Sequence, residues 1–250
     1  MEDGIECPIC RRQITSYEIT AVGDTYVHQG EQAVTEVSVP METAERNHAD
    51  QEGYTALMRA SENGYEAVVG RLVEAGADPN HATQQGKTAL MLASKNGYEA
   101  VVEMLVESGA DLNDADEQGK TALMLASLHG HEAVVGRLVV AGADPNHANQ
   151  EGYTALMRAS ENGYEAVVGR LVEAGADPNH ATQQGKTALM LASKNGYEAV
   201  VEMLVESGAD LNDADEQGKT ALMVASLHGH EAVVGRLVEA GADLNHATEQ

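Results

Sequence analysis

Cys7-Pro8-Ile9-Cys10 sets two thiols two residues apart, the spacing at which a tight knuckle lets both thiolates converge on one tetrahedral zinc ion. Seventeen residues separate Cys10 from His28, and two more separate His28 from Glu31. A carboxylate can complete a zinc shell, so Cys7, Cys10, His28 and Glu31 form one candidate metal site. The alternative is a degenerate finger that holds no metal. No other cofactor is called for.

Three further patterns imitate known chemistry. Gln85-Gly86-Lys87-Thr88 and its three counterparts contain the Gly-Lys-Thr of a phosphate-binding loop. The loop also needs a glycine five residues earlier, where His81, Asp114, His180 and Asp213 stand. Asp111-Leu112-Asn113-Asp114 with Asp116 and Glu117 has a calcium loop's composition, but Ala115 takes the fifth ligand position and no glycine follows it, so a solvated hairpin is expected. His129-Gly130-His131 recurs as His228-Gly229-His230 without a further ligand fixed by the sequence. No nucleophile comes with a repeated base and orienting partner, so the sequence supports neither an enzyme nor a small-molecule substrate.

The elements that carry these residues must be thin. Hydrophobic residues make up 43% of the 250, enough for a core, yet the chain has no Phe, no Trp and 8 Tyr, so Leu, Val, Ala and Met must fill it. Acidic residues outnumber basic ones 40 to 15, and the resulting net charge of -25 argues against nucleic acid as a partner. No apolar run approaches the roughly 18 residues of a membrane helix, and MEDGIECPIC lacks the basic start of a signal peptide. An intracellular protein, cytoplasmic or nuclear and without a membrane partner, is the expectation. Both cysteines precede residue 11, so packing rather than disulfides must stabilise the bulk.

Internal periodicity decides the architecture. Gly53, Gly86, Gly119, Gly152, Gly185 and Gly218 each open a G-x-T-A-L-M string at intervals of 33 residues, defining units 50–82, 83–115, 116–148, 149–181, 182–214 and 215–247. A longer period overlies this one. Residues 51–149 match 150–248 at 95 of 99 positions, differing at Leu125/Val224, Val140/Glu239, Pro145/Leu244 and Asn149/Thr248, so three units were copied as a block.

Within the first unit, Thr55 caps a short helix with Leu57 and Ala60 on one face, and Asn63-Gly64 supplies a left-handed turn. Ala67, Val68, Leu72 and Val73 then repeat at helical spacing, Gly76 stops that helix, and Ala77-Asp78-Pro79-Asn80 turns away. Helix pairs this short bury their apolar faces only by stacking on neighbours. The predicted fold is an all-α solenoid of six stacked helix-turn-helix units. Residues 1–39 form a separate segment with a small β-hairpin around Gly23-Asp24, and 40–49 a linker.

G-x-T-A-L-M-x-A-S, N-G-Y-E-A-V-V and A-G-A-D-P-N-H together resemble the ankyrin repeat, over residues 50–250. The resemblance implies antiparallel helix pairs, projecting β-hairpin loops and a concave groove for protein recognition. T-A-L-M in place of the family's T-P-L-H loses a proline at the first helical turn and a histidine that ties adjacent loops, which would cost rigidity. Arg59, Arg71, Arg158 and Arg170 stand where the second unit has Leu92 and Met104, and snorkelling heads over buried stems are expected. Leu237 and Val238 have no successor to cover them, which suggests a fragment of a longer array or a bare contact surface. The first segment partly resembles a LIM finger, or the opening of a RING domain, without the second set of ligands either family needs.

By the same resemblance, the groove is lined by Tyr54, Lys87, Lys120, Tyr153, Lys186 and Lys219 after the glycines, and by turn residues including Leu128, His129, Leu227 and His228. The turn pairs Glu62-Asn63 and Lys95-Asn96 make this face mixed in charge, whereas the glutamates of the second helices belong to the convex back. Exposed tyrosines and turn leucines are the anchor candidates. Two functions follow: a noncatalytic scaffold binding a protein partner in the groove, or a ubiquitin-ligase-like substrate adaptor whose cysteine segment binds zinc. Zinc content separates them. The adaptor predicts one zinc ion per chain purified under reducing conditions, and a zinc-free preparation removes its support.

Overall fold

Each inner helix starts at a buried threonine. Thr55, Thr88, Thr121, Thr154, Thr187 and Thr220 hold extended backbone, and each side-chain oxygen accepts the backbone N–H of the methionine three residues on, at 3.3–3.4 Å. The missing proline is thus offset by a side-chain cap. The inner helices are Ala56–Glu62, Ala89–Asn96, Ala122–Leu128, Ala155–Asn162, Ala188–Asn195 and Ala221–His228. The outer helices are Glu66–Glu74, Glu99–Glu107, Glu132–Ala141, Glu165–Glu173, Glu198–Glu206 and Glu231–Glu239, each with glutamate in the first turn, where the helix dipole favours negative charge.

The computed structural model describes residues 47–245 in full. Before them it describes only the backbone of strands Ile5–Glu6, Gln13–Ile14, Ile19–Val22, Thr25–Gly30 and Ala33–Ser38. Ile19–Val22 pairs antiparallel with Thr25–Gly30, ending with Val22 opposite Thr25 on either side of the expected Gly23-Asp24 turn, and Ala33–Ser38 adds a third strand. The turn residues themselves lie outside the described ones. Among the described residues, twelve helices form six pairs, and inner packs on inner and outer on outer from unit to unit. None is long and apolar enough to cross a membrane.

At 7 to 10 residues, every helix is below the roughly 12–15 at which isolated helices become even marginal in water. Stacking supplies the rest, and the two end units show its direction. Val101 and Val102 of the second unit are both fully buried. Of their equivalents in the first unit, Val69 is buried and Val68 is 37% exposed; in the sixth, Val233 is buried and Val234 only partly so. The first valine of each pair therefore faces the preceding unit and the second faces the following one.

This corrects two expectations. Ala67 points outward and Val69, absent from the expected stripe, is the buried residue of the first outer helix. Leu237 is fully buried because its side chain packs backward onto the fifth unit, while Val238 is 41% exposed. Truncating a leucine of this row, such as Leu105, removes a side chain at 0% exposure and costs about 2–5 kcal/mol.

Polar ladders run along the stack. Asn47 Oδ1 accepts the N–H of Asp78, and the contact repeats from Asn80 to Asp111, Asn113 to Asp144, Asn146 to Asp177, Asn179 to Asp210 and Asn212 to Asp243, at 2.7–2.9 Å. Asn47 thus stands in register with the asparagines of the units. Where the family's histidine would tie the hairpins, this chain uses main chain. The N–H groups of Glu117, Gln150, Gln183 and Glu216 donate to the carbonyls of Gln85, Gln118, Glu151 and Gln184, at 3.0–3.1 Å.

Gly97 serves both a turn and a contact. Its φ is +78°, and a β-carbon there would stand 2.6 Å from His131 Nδ1, because the ring opening the next outer helix lies flat on it. Tyr98, Tyr164, Tyr197 and His230 sit on the preceding units' turn glycines in the same way.

Two stability predictions follow from the ladders and the core. Asn179 also donates from its side-chain amide to the Gly208 carbonyl at 3.1 Å, so Asn179→Ala leaves two backbone groups unpaired and should cost about 1–3 kcal/mol in urea unfolding. Ser61, Ser94, Ser127, Ser160 and Ser193 bury hydroxyls without a hydrogen-bond partner. Ser94→Ala should therefore hold or raise the unfolding free energy read from urea titration, by up to about 1 kcal/mol.

Candidate recognition groove

The inner helices and hairpins enclose an open cleft of about 570 Å³ across the first three units. Tyr54, Lys87, Lys120, Leu128 and His129, all expected on this face, line it together with Leu92, Leu125, Lys95 and Glu62. A smaller cleft of about 170 Å³ shares Lys120, Leu125 and Leu128 and is closed by Arg158. Leu92, Leu125 and Leu128 make an apolar floor, and polar groups surround it.

Tyr54 and Tyr153 are not the free anchors the sequence suggests. Each is half-buried against the core, with the Arg59 or Arg158 guanidinium 3.8 or 3.7 Å above its ring centroid. Arg59 Nη2 lies 2.9 Å from Asp50 and 3.7 Å from Glu52, and its Nη1 lies 3.4 Å from Glu62. Arg158 lies 3.1 Å from Glu161 and 3.7 Å from Glu151, and only 19% of its side chain is exposed. Its head is therefore clamped between ring and carboxylates rather than snorkelling. Arg71 and Arg170, at 78% and 52% exposure, do reach solvent.

The backbone N–H of Tyr54 holds the Asp50 carboxyl below its usual range, with Arg59 adding to the effect, and Asp50 in turn raises the already high Arg59 pKa. Burial pushes the Tyr153 hydroxyl up, and Glu161 adds to it.

His129 takes the place of the asparagine that elsewhere closes the inner helix. Asn63, Asn96, Asn162 and Asn195 donate to the carbonyl four residues back, and His129 Nδ1 does so to Leu125 at 2.9 Å. His131 Nε2 donates across the unit boundary to the Lys95 carbonyl at 3.0 Å. The rings stack with centroids 6.0 Å apart, and His131 Nδ1 is covered by Gly97. The pair so offers one open ring nitrogen instead of a chelate. His228 and His230 repeat this arrangement at 6.2 Å.

In the second block, Lys186 and Lys219 donate their backbone N–H groups to Thr182 Oγ1 and Asp215 Oδ1, and Leu227 is 70% exposed where Leu128 is half-buried. The calcium-like run is a hairpin. Asp111 and Asp116 spend a carboxylate oxygen on backbone N–H groups of Asn113, Gln118 and Lys120. Cys7, Cys10 and Glu31 lie outside the described residues, and His28 falls on a strand of which only the backbone is described. Among the described residues, no cluster of three His, Cys, Asp or Glu side chains could hold a metal ion.

A family model of ankyrin repeats (3 copies) matches residues 26–116, 113–182 and 170–248. With the paired helices and hairpins, this shows that the chain belongs to the ankyrin repeat family. Ankyrin repeats are generally modules of protein–protein interaction, and typically noncatalytic ones. No curated protein matches the chain at a significant level.

Partial burial, with Asp111 and Asp210 close by, raises the pKa of Asp114 and Asp213. Folding then holds a proton that the unfolded chain has already released, so these groups contribute nothing below their unfolded pKa and increasingly oppose the fold as pH rises through the folded one. Asp114→Asn with Asp213→Asn should raise the urea midpoint at neutral pH. The gain should shrink towards about pH 3, where both carboxyls are protonated in either state.

Proposed function

We propose that this chain is a noncatalytic scaffold that holds a segment of a protein partner in the concave groove of its ankyrin array. The observation that carries the reading is the cleft across the first three units, with half-buried Leu125 and Leu128 on its floor among charged side chains of both signs. Interface energy concentrates where apolar groups are desolvated inside a polar rim, and this cleft provides that arrangement. Most apolar side chains of the described outer helices face neighbouring units, and Val140, at 85%, is the most exposed of the large ones.

Affinity capture of partners from a cell extract, followed by titration of the one retained, tests the assignment. Leu128→Ser should weaken that partner about tenfold or more, as expected on losing a desolvated anchor of about 1.4 kcal/mol or more. Val140→Ser on the convex side should leave it unchanged. A partner indifferent to Leu128 but sensitive to Val140 would move the site to the back of the array.

A further inference from the structure

Copying three units as a block also copied the faces at the two ends of that block. Residues 51–149 match 150–248 at 95 of 99 positions, so the back face of the first unit carries the side chains of the fourth. The forward face of the sixth unit likewise carries nearly those of the third, with Val224 for Leu125. Inside the array the third and fourth units stack on each other. Among the described residues, no helix pair lies on the back of the first unit or on the front of the sixth.

Comparing copies shows what this junction buries. Val167 and Leu171 of the fourth unit are 1% and 0% exposed, whereas Val68 of the first is 37% exposed and Leu72 half-buried. On the opposite face, Met124 and Val135 are buried, while Met223 and Val234 are half-buried and Leu227 is exposed. Both end faces are therefore apolar, and they are the two halves of a contact that the chain already makes.

The finer contacts of the junction have their copies in solvent. The Tyr164 ring lies on Gly130, 2.8 Å from where a β-carbon would stand; its copy Tyr65 is 59% exposed, and the same position on Gly229 has nothing within 4 Å. Arg170 reaches Glu132 at 3.2 Å, and their copies Arg71 and Glu231 are both exposed. Gln150 donates its backbone N–H to the Gln118 carbonyl at 3.1 Å and its side-chain amide to the Glu117 carbonyl at 2.7 Å, and Gln51, Gln217 and Glu216 are the equivalents.

We infer that a second copy of this chain stacks on the first head to tail, its first unit lying on the sixth as the fourth lies on the third. The incoming Tyr65 then covers Gly229, Arg71 reaches Glu231, and Val68 and Val234 leave solvent. Asn47 already holds Asp78 as Asn146 holds Asp177, so the incoming Asn47 fills the ladder position and Asn245 gives way to it. Because the contact joins two different faces, each added copy leaves a face free, and growth continues past a dimer. This end-to-end contact does not depend on the scaffold reading of the groove.

Sedimentation equilibrium of the full chain tests it, at physiological salt, where the field of the net charge of -25 is screened within about 8 Å. The mass should rise with concentration and pass that of a dimer. Val68→Asp on the back face, or Val234→Asp on the forward face, places an unpaired carboxylate in the junction and should weaken association about tenfold or more. Mixed in equal amounts, the two variants should form a dimer and nothing larger, since each keeps the face the other has lost. Circular dichroism checks that each variant is folded, and Tyr65→Asp with Leu227→Asp, at 59% and 70% exposure, repeats the test at more exposed sites. A chain that stays monomeric at every concentration, association unchanged by these substitutions, or variants that do not combine would overturn the inference. A mass that levels off at a dimer would also overturn it, in favour of a symmetric contact.

Discussion

The contact between neighbouring units is the constraint on which the whole structure depends. Helices of 7 to 10 residues have too few internal hydrogen bonds to repay their nucleation, so each pair is stable only with a pair against it. The valine pairs make this visible, one side chain facing back and one forward. The same constraint fixes the residue types. A layer about one helix thick has room for Leu, Val, Ala and Met but not for large rings, and Tyr98, Tyr164 and Tyr197 stand at unit edges, where they lie on the previous unit's turn glycine.

Stacking apolar layers alone would leave the register of the hairpins loose. Three polar devices set it: asparagine to the next unit's aspartate N–H, main-chain bonds between successive hairpins, and the aromatic ring on the turn glycine. Each joins residues about one unit apart, so the devices act in parallel along the array. They replace the tie lost with the family's histidine, while the methionine in its place is buried in the inner layer. A groove whose walls are fixed in this way can bind without first ordering itself.

Much of this was legible in the residues. The 33-residue period, the threonine caps, the turn glycines and the helix pairs follow from local spacing and hold in the structure. What local spacing could not give was the direction of each side chain relative to the neighbouring units. Ala67 and Val69 differ by two positions in one helix, and only the placement of the next unit decides that the valine is the buried one. Seven residues expected on one face do line one cleft, but the state of those side chains was not legible from spacing. Arg158 is clamped because Tyr153, Glu151 and Glu161 converge on it from hairpin and helix, a three-way contact that no single spacing displays.

The copied block makes the same point in its strongest form. Units three and six are nearly identical in sequence, yet Leu128 is half-buried and Leu227 is 70% exposed, while Ser127 hides a hydroxyl that its copy Ser226 turns to the Leu222 carbonyl at 2.8 Å. The third unit has the fourth lying on it, with Arg158 reaching the cleft beside Leu128; the sixth has no described neighbour on that side. In a solenoid, then, the exposure of a side chain belongs to the junction between units rather than to the repeat. The smaller cleft beside Leu128 forms because the second block begins where the first ends, bringing Asn149 and Arg158 up to Lys120, Leu125 and Leu128.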